Sequence, residues 1–342
     1  MDTVQINRLK ELSNAFGVSS FESNVVSLLK TNLEANGNEI IKDRLGSIFA
    51  LKKSKNPDAK TLLIATSLDE VGLMVSRVND NGTLEFITLE SLAPVSLLHQ
   101  RVNVITRDNE KLVGVISANV NAMSAKDSIK VSDLYVDLGS ASLSKKVLPG
   151  DLITFVGDFT VINEHIAMGK ALNNRLLLEA ALEVLENLKD YELDYNLVVG
   201  GIAASIIGHR GTMTSAYVVK PDTALILTGF DANVSKCKLV KGNGTVVAYH
   251  DGGMLPSQRL LNDFASSFDK YQTSIGTAAN DSSFIHKMLR GCPSVACGVT
   301  MSNTGTANVL ADLNDVDHLV KYISEYCKQL DSAKIRNFGF EE

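Results

Sequence analysis

The residues with the chemistry for hydrolysis are few and scattered along this chain. Asp69 and Glu70 are adjacent carboxylates directly after the apolar run 62–68. Ser67 stands just before them, and Ser205 lies four residues ahead of His209. Hydroxyl, imidazole and carboxylate groups together are the inventory of an activated nucleophile. Yet neither serine sits in a GxSxG elbow, and no third group is indicated, so the pattern does not read as a serine hydrolase. Asn173-Asn174 opens a helical run and Asn280-Asp281 precedes another. Asn173-Asn174 can bind a peptide end, but capping is the simpler role for both pairs, and Asp69 likewise reads as a turn cap after its strand. GNG at 242–244 lacks the spacing of a phosphate loop. Cys237, Cys292, Cys297 and Cys327 form no CxxC pair and read as reduced structural thiols of a cytoplasmic protein.

The elements that must position these groups are of two kinds. Residues 3–35 read as two helices around a break, and 38–53 as a hairpin turning near Arg44–Gly46. Residues 62–68 form an unbroken apolar strand, as expected for one buried on both faces. From 72 to 163 the texture changes to period-two alternation, with Asn81-Gly82 and Arg107–Glu110 at hairpin turns. Afterwards strands and helices alternate. Residues 170–190 are a helix, 196–205, 224–229, 245–250, 271–276 and 294–299 read as strands, and helices are expected in 257–268, 282–291 and 316–330. This order predicts an α/β fold, a mixed sheet flanked by helices, formed by 1–70 and 165–342, with a β-rich insertion at 72–163.

Composition bounds the rest. The chain has 342 residues, 45% hydrophobic and 21% charged, with net charge −6. That excludes disorder and a basic nucleic-acid footprint, and no apolar run reaches the roughly 18 residues of a membrane span.

The order of motifs resembles metallopeptidase family 42, the glutamyl, deblocking and cellulase M-like aminopeptidases. The landmarks are GVSSFE (17–22), DRLGSIFALKK (43–53), SLDEVGLMVSRV (67–78), LHQRVNVITRD (98–108) and GVISANV (114–120). DLYVDLGS (133–140), GKALNNR (169–175), IGHRGTMTSA (207–216) and KPDTALIL (220–227) follow in order. The resemblance implies a peptidase α/β fold with an inserted β-barrel-like dimerisation domain. It also implies dimers that build a hollow tetrahedral shell of twelve.

The family's chemistry uses two zinc or cobalt ions, a bridging water and a general-base Glu, with ligands at positions that this chain lets one inspect. Only the orienting Asp is kept, as Asp69. Ser67 stands where the first His belongs, and Asn173 replaces the bridging Asp, followed by Asn174. Ser205 and Ile206 replace the base and ligand Glu pair, Thr228 the next Asp, and Gly305, by spacing, the last His. Neutral Ser, Thr, Ile, Gly and Asn cannot offset two dications. The expectation is therefore a homologue without metal or aminopeptidase activity, which binds peptides or assembles with itself or with an active paralogue. Its cleft residues would be Ser67, Asp69, Asn173, Asn174, Ser205, His209 and Asp281. The alternative is a hydrolase with a site rebuilt from Asp69, His209, Asp231 and Asp281.

Overall fold

The computed structural model describes residues 1–118, 129–233, 236–276 and 278–340. The end of the landmark 114–120 lies outside the described residues. Its backbone is one large mixed sheet, helices on both faces, and a closed barrel inserted between two of its strands.

The sheet has eleven strands, nine of them in the spatial order 39–42, 48–52, 196–202, 61–67, 223–231, 294–302, 309–312, 166–169 and 160–162. The central four, from 196–202 to 294–302, run parallel. Strand 246–251 pairs antiparallel with 294–302, and 272–276 lies parallel beyond it. Thr61–Ser67 is apolar because helices cover both of its faces; five consecutive residues are buried. Helix Leu172–Asn187 lies across the sheet, under helices Thr3–Asn14 and Leu313–Gln329, and buries nearly every residue of its first three turns.

Strands 73–78, 84–88, 134–137, 111–118, 101–105 and 152–155 close the barrel in that order. Alternation in Lys111–Ala118 puts Leu112, Gly114, Ile116 and Ala118 inside and Lys111, Val113 and Val115 outside. The barrel core of Leu73, Val75, Val102, Val104, Val136 and Ile153 is distinct from the core of the sheet.

Two expectations need correction here. Thr160–Ile162, read as part of the inserted module, pairs antiparallel with Ile166–Gly169 in the large sheet. Three residues are too few to carry a pattern of their own, and only its partner decides the sheet. The helix expected over 282–291 is a short turn, Ser282–Ile285. Leu289 then takes a left-handed φ of 57°, and the Cys292 N–H bonds back to His286 O. Helix Arg210–Val219 and strand Val309–Asp312 carry weak local signals. The former is rich in Gly, Thr, Ser and Val, which favour helix little, and it is held by packing. A Cβ at Gly211 would lie 2.1 Å from Ala203 O, so glycine is what lets this helix seat on the strand end.

Candidate functional site

Ser67, Ile202 and Thr228 belong to three adjacent strands that run parallel. Ser67 faces Ile202 across the register, and Ser205 follows three residues later. The crevice outside the carboxyl ends of parallel strands is where open α/β sheets place their ligands. Here that crevice is a cavity of about 180 Å³ lined by Ser67, Asn173, Asn174, Ser205, Ile206, Thr228, His209 and Asp281. It adjoins a cleft of about 540 Å³ that holds Asp231 and Gly305. Five residues from four distant segments, Ser67, Asn173, Ser205–Ile206 and Thr228, thus meet in one small cavity. A cavity of about 1030 Å³ lies at the opposite, amino-terminal ends of the central strands, by Lys60, Asp222 and Ser294, and contains none of these positions.

Asp281 is the hub of the smaller cavity. Its Oδ2 accepts from Ser67 Oγ and Ser205 Oγ, each at 2.9 Å. Its Oδ1 accepts from Thr212 Oγ1 at 2.6 Å and meets His209 Nδ1 at 2.8 Å. Burial works against its charge, but the His209 ring and the hydroxyl donors outweigh it and hold the carboxyl below its ordinary value. The His209 ring also stacks on Phe284, with centroids 4.4 Å apart. Both serine hydroxyls are therefore committed to Asp281. Among the described residues neither bonds to His209, so no serine–histidine pair exists. Asp281 heads the turn Ser282–Ile285 but makes no side-chain cap; the neighbouring Asn280 Oδ1 accepts from Ser282 N instead.

Asp69 stands behind the cavity, not in its wall. Its Oδ2 accepts from Ser19 Oγ at 2.5 Å and Ile206 N at 2.8 Å. It is not the cap of a local turn but a tie between three distant segments. Its Oδ1 has no partner among the described residues. Burial is the main reason its carboxyl is pushed up to about 7, with Glu22 and Asp281 adding to the rise. Beside it lie the buried Glu70–Lys170 ion pair at 2.7 Å and the fully buried Arg175.

The asparagines do not cap their helix. Ala171, left-handed at φ 57°, is the N-cap of Leu172–Asn187, and Asn173 and Asn174 fall in the first turn. Asn174 Nδ2 instead donates to Asp69 O, and Asn173 faces the cleft. Asp231 lies in the outer lobe, where Thr304 Oγ1 and Asn233 N donate to it. It is not gathered with Asp69 and Asp281. Gly305 lies in the same lobe with φ +75°, a conformation that a side chain adopts only under strain.

Sequence reasoning missed Thr212, the fourth donor to Asp281, and Glu90, which lines both lobes. Thr212 lies in a quoted motif, three residues after His209. Glu90 follows barrel strand 84–88, and nothing in its sequence neighbourhood points to the cleft. As a whole residue Glu90 is exposed, but protein packed round its carboxyl raises it above its ordinary value, while the nearby His209 ring pulls it down.

The site shows no fit for the two dications. Ser67, Ser205, Thr228, Asn173 and Asn174 offer only neutral hydroxyls and amides, Asp281 is already engaged by four donors including His209, Glu90 is the one other carboxylate lining the small cavity, and the Ile206 side chain presents no donor atom. Among the described residues no three His, Cys, Asp or Glu groups converge as metal ligands.

An α/β sheet with an inserted barrel and a crevice at the strand ends is the architecture of a peptidase. Residues 46–322 match the family described as M42 glutamyl aminopeptidase, and the chain belongs to that family. The glutamyl aminopeptidase of Lactococcus lactis subsp. cremoris is 26% identical, over 96% of this chain and 97% of its own. The TET aminopeptidase of the archaeon Thaumarchaeota archaeon SCGC AB-539-E09 superposes with a TM-score of 0.92 at 28% identity, over 98% of this chain and 100% of its own. The TET1 peptidase of Pyrococcus horikoshii, described as assembling into a tetrahedron or a large octahedral shell, shares the fold with a TM-score of 0.84 at 23% identity, over 95% of this chain and 100% of its own.

Proposed function

We propose that this family member has lost dinuclear-metal hydrolysis and uses the retained cleft to bind peptides, as part of an oligomeric shell or alongside an active paralogue. One observation carries the reading. The positions aligned with the family's metal and base groups come together in space, yet Ser67, Asn173, Ser205, Ile206 and Thr228 bring no charge there. Two cations a few ångströms apart repel strongly and need anionic ligands between and around them. Ser205 cannot take a proton from water near neutral pH, so the general-base role is vacant too.

The test is elemental analysis after dialysis against zinc or cobalt, together with release of N-terminal residues from a peptide panel. The expected result is no stoichiometric metal and no release. Two metals per chain, or turnover that a chelator abolishes, would overturn the reading. The converse is to install Ser67→His, Asn173→Asp, Ser205→Glu, Ile206→Glu and Thr228→Asp together. Metal binding should then return before activity does. Gly305→His is best left out at first, because its left-handed backbone would strain any side chain. For the assembly, light scattering at micromolar concentration should give a mass above the 36.9 kDa of one chain.

A second reading has one favourable feature. A histidine oriented by a buried carboxylate, as His209 is by Asp281, is the usual pairing for acid–base work. Against it, no nucleophile is bonded to that histidine, and Asp231 lies in the other lobe. Metal-independent peptide hydrolysis abolished by His209→Gln would favour this reading.

A further inference from the structure

We propose that the cleft selects peptides bearing a basic side chain, and that Glu90 sets this preference. The proposal rests on the reading that the cleft holds peptides, and it adds the class of peptide. The two lobes share Glu90, Asn173, Thr228 and Asn280 and so form one continuous groove. No Lys or Arg is among its described lining residues, while Glu90, Asp231, Asp251 and Asp281 all are. The two histidines, His209 and His250, are the only basic side chains there. Clefts lined by one sign of charge between low-dielectric walls concentrate the field and favour the opposite ion.

The four carboxylates are not equivalent. Asp281 takes three hydroxyls and the His209 ring. Asp251 accepts from the hydroxyls of Ser282 and Ser283 and from Gly253 N. Asp231 accepts from Thr304 and Asn233 N. Glu90 alone of the four accepts no hydrogen bond among the described residues. It lies where the two lobes meet, so a ligand spanning the groove passes it. Asn173, Asn280 and Thr228 can satisfy a peptide's backbone but are indifferent to the sign of its side chains. A Lys ammonium or Arg guanidinium would gain Glu90 as a partner, whereas a Glu side chain would meet like charges. The barrel module, which contributes Glu90, thus sets selectivity in a groove whose floor belongs to the sheet.

The experiment is calorimetric titration of the full chain with three peptides of equal length and free N-termini, differing in one side chain: Lys, norleucine or Glu. The shared N-terminal amine cancels, so the differences report the side chain. The Lys peptide should bind on the order of tenfold more tightly than the norleucine peptide, with the Glu peptide weakest. The preference should shrink with added salt, as expected for charges at an open groove. Glu90→Gln should remove most of it, Glu90→Lys should reverse it, and Glu90→Asp should keep part of it. Equal binding of all three peptides would overturn the selectivity while leaving peptide binding intact. A Lys preference that survives Glu90→Gln would overturn the role of Glu90. Binding of none of the three would overturn both this inference and the reading beneath it.

Discussion

Asp281 and Asp69 are two fully buried carboxylates whose surroundings drive them in opposite directions. Asp281 meets four donors, one of them an imidazole, and stays charged more easily than in water. Asp69 has two donors, two like-charged neighbours and one oxygen without a partner, and is pushed up to about 7. Burial is the same for both, so the number and charge of the donors decide the sign. Asp281 is the closed centre of a hydrogen-bonded cluster, whereas Asp69 ties the segments of Ser19 and Ile206 together behind it.

The largest effect expected from this contrast is that of Asp281→Ala. It strands three hydroxyls and an imidazole in a buried cluster and should cost about 3–5 kcal/mol of stability, read by urea unfolding. A loss below about 1 kcal/mol would show that the hub is not closed.

The two carboxylates should also leave opposite marks on the pH profile. The folded state holds the Asp69 proton up to about pH 7, whereas an unfolded Asp releases it near pH 4. Native protein therefore binds more protons in that window, and Asp69 makes stability fall as pH rises, by up to about 1.4 kcal/mol per unit. Asp69→Asn should remove this decline. For Asp281 the sign reverses: its contribution is present above the ordinary carboxylate value and is lost as pH falls through its lower folded value. Asp281→Asn should flatten the acid limb and, by removing one of the like charges that raise Asp69, only shorten the decline between pH 4 and 7 without abolishing it. Unfolding free energies of the two variants across this range give the check, and matching slopes would end the distinction.

Ser67→Ala removes one of the four donors from Asp281 and should cost about 1 kcal/mol by thermal or urea unfolding. A larger loss would mean that the network acts as a unit instead of a sum of bonds. Smallest of all, Glu90→Gln should change stability by less than about 0.5 kcal/mol, since it removes no hydrogen bond seen in the fold. Its melting curve therefore doubles as the control that separates selectivity from folding.

Much of the architecture was legible because burial writes itself into residue type. Strand 61–67 and helix 172–187 announced themselves as apolar runs, and the barrel as period-two alternation with Asn-Gly at a turn. Thr160–Ile162 was misassigned because three residues carry no pattern that says which sheet receives them. Helix 210–219 was invisible because its residues favour helix weakly and its stability comes from packing. At the site, the types of Ser67, Asn173, Ser205, Ile206 and Thr228 could be read from the chain alone. Their meeting in one cavity could not, since it depends on the parallel register that brings Ser67 level with Ile202.

By itself, then, the sequence determined that Ser67, Asn173, Ser205, Ile206 and Thr228 are all uncharged, because residue type fixes charge. It also determined the two textures of the fold, because periodicity fixes which faces are buried. Only the tertiary structure decided which partners those residues meet. Asp281 draws its donors from strand 61–67, the segment after strand 196–202 and helix 210–219, and Glu90 reaches the groove from the barrel. Contacts between residues 69 to 214 positions apart leave no trace in local pattern, because each side chain obeys its neighbours in space and not its neighbours in the chain.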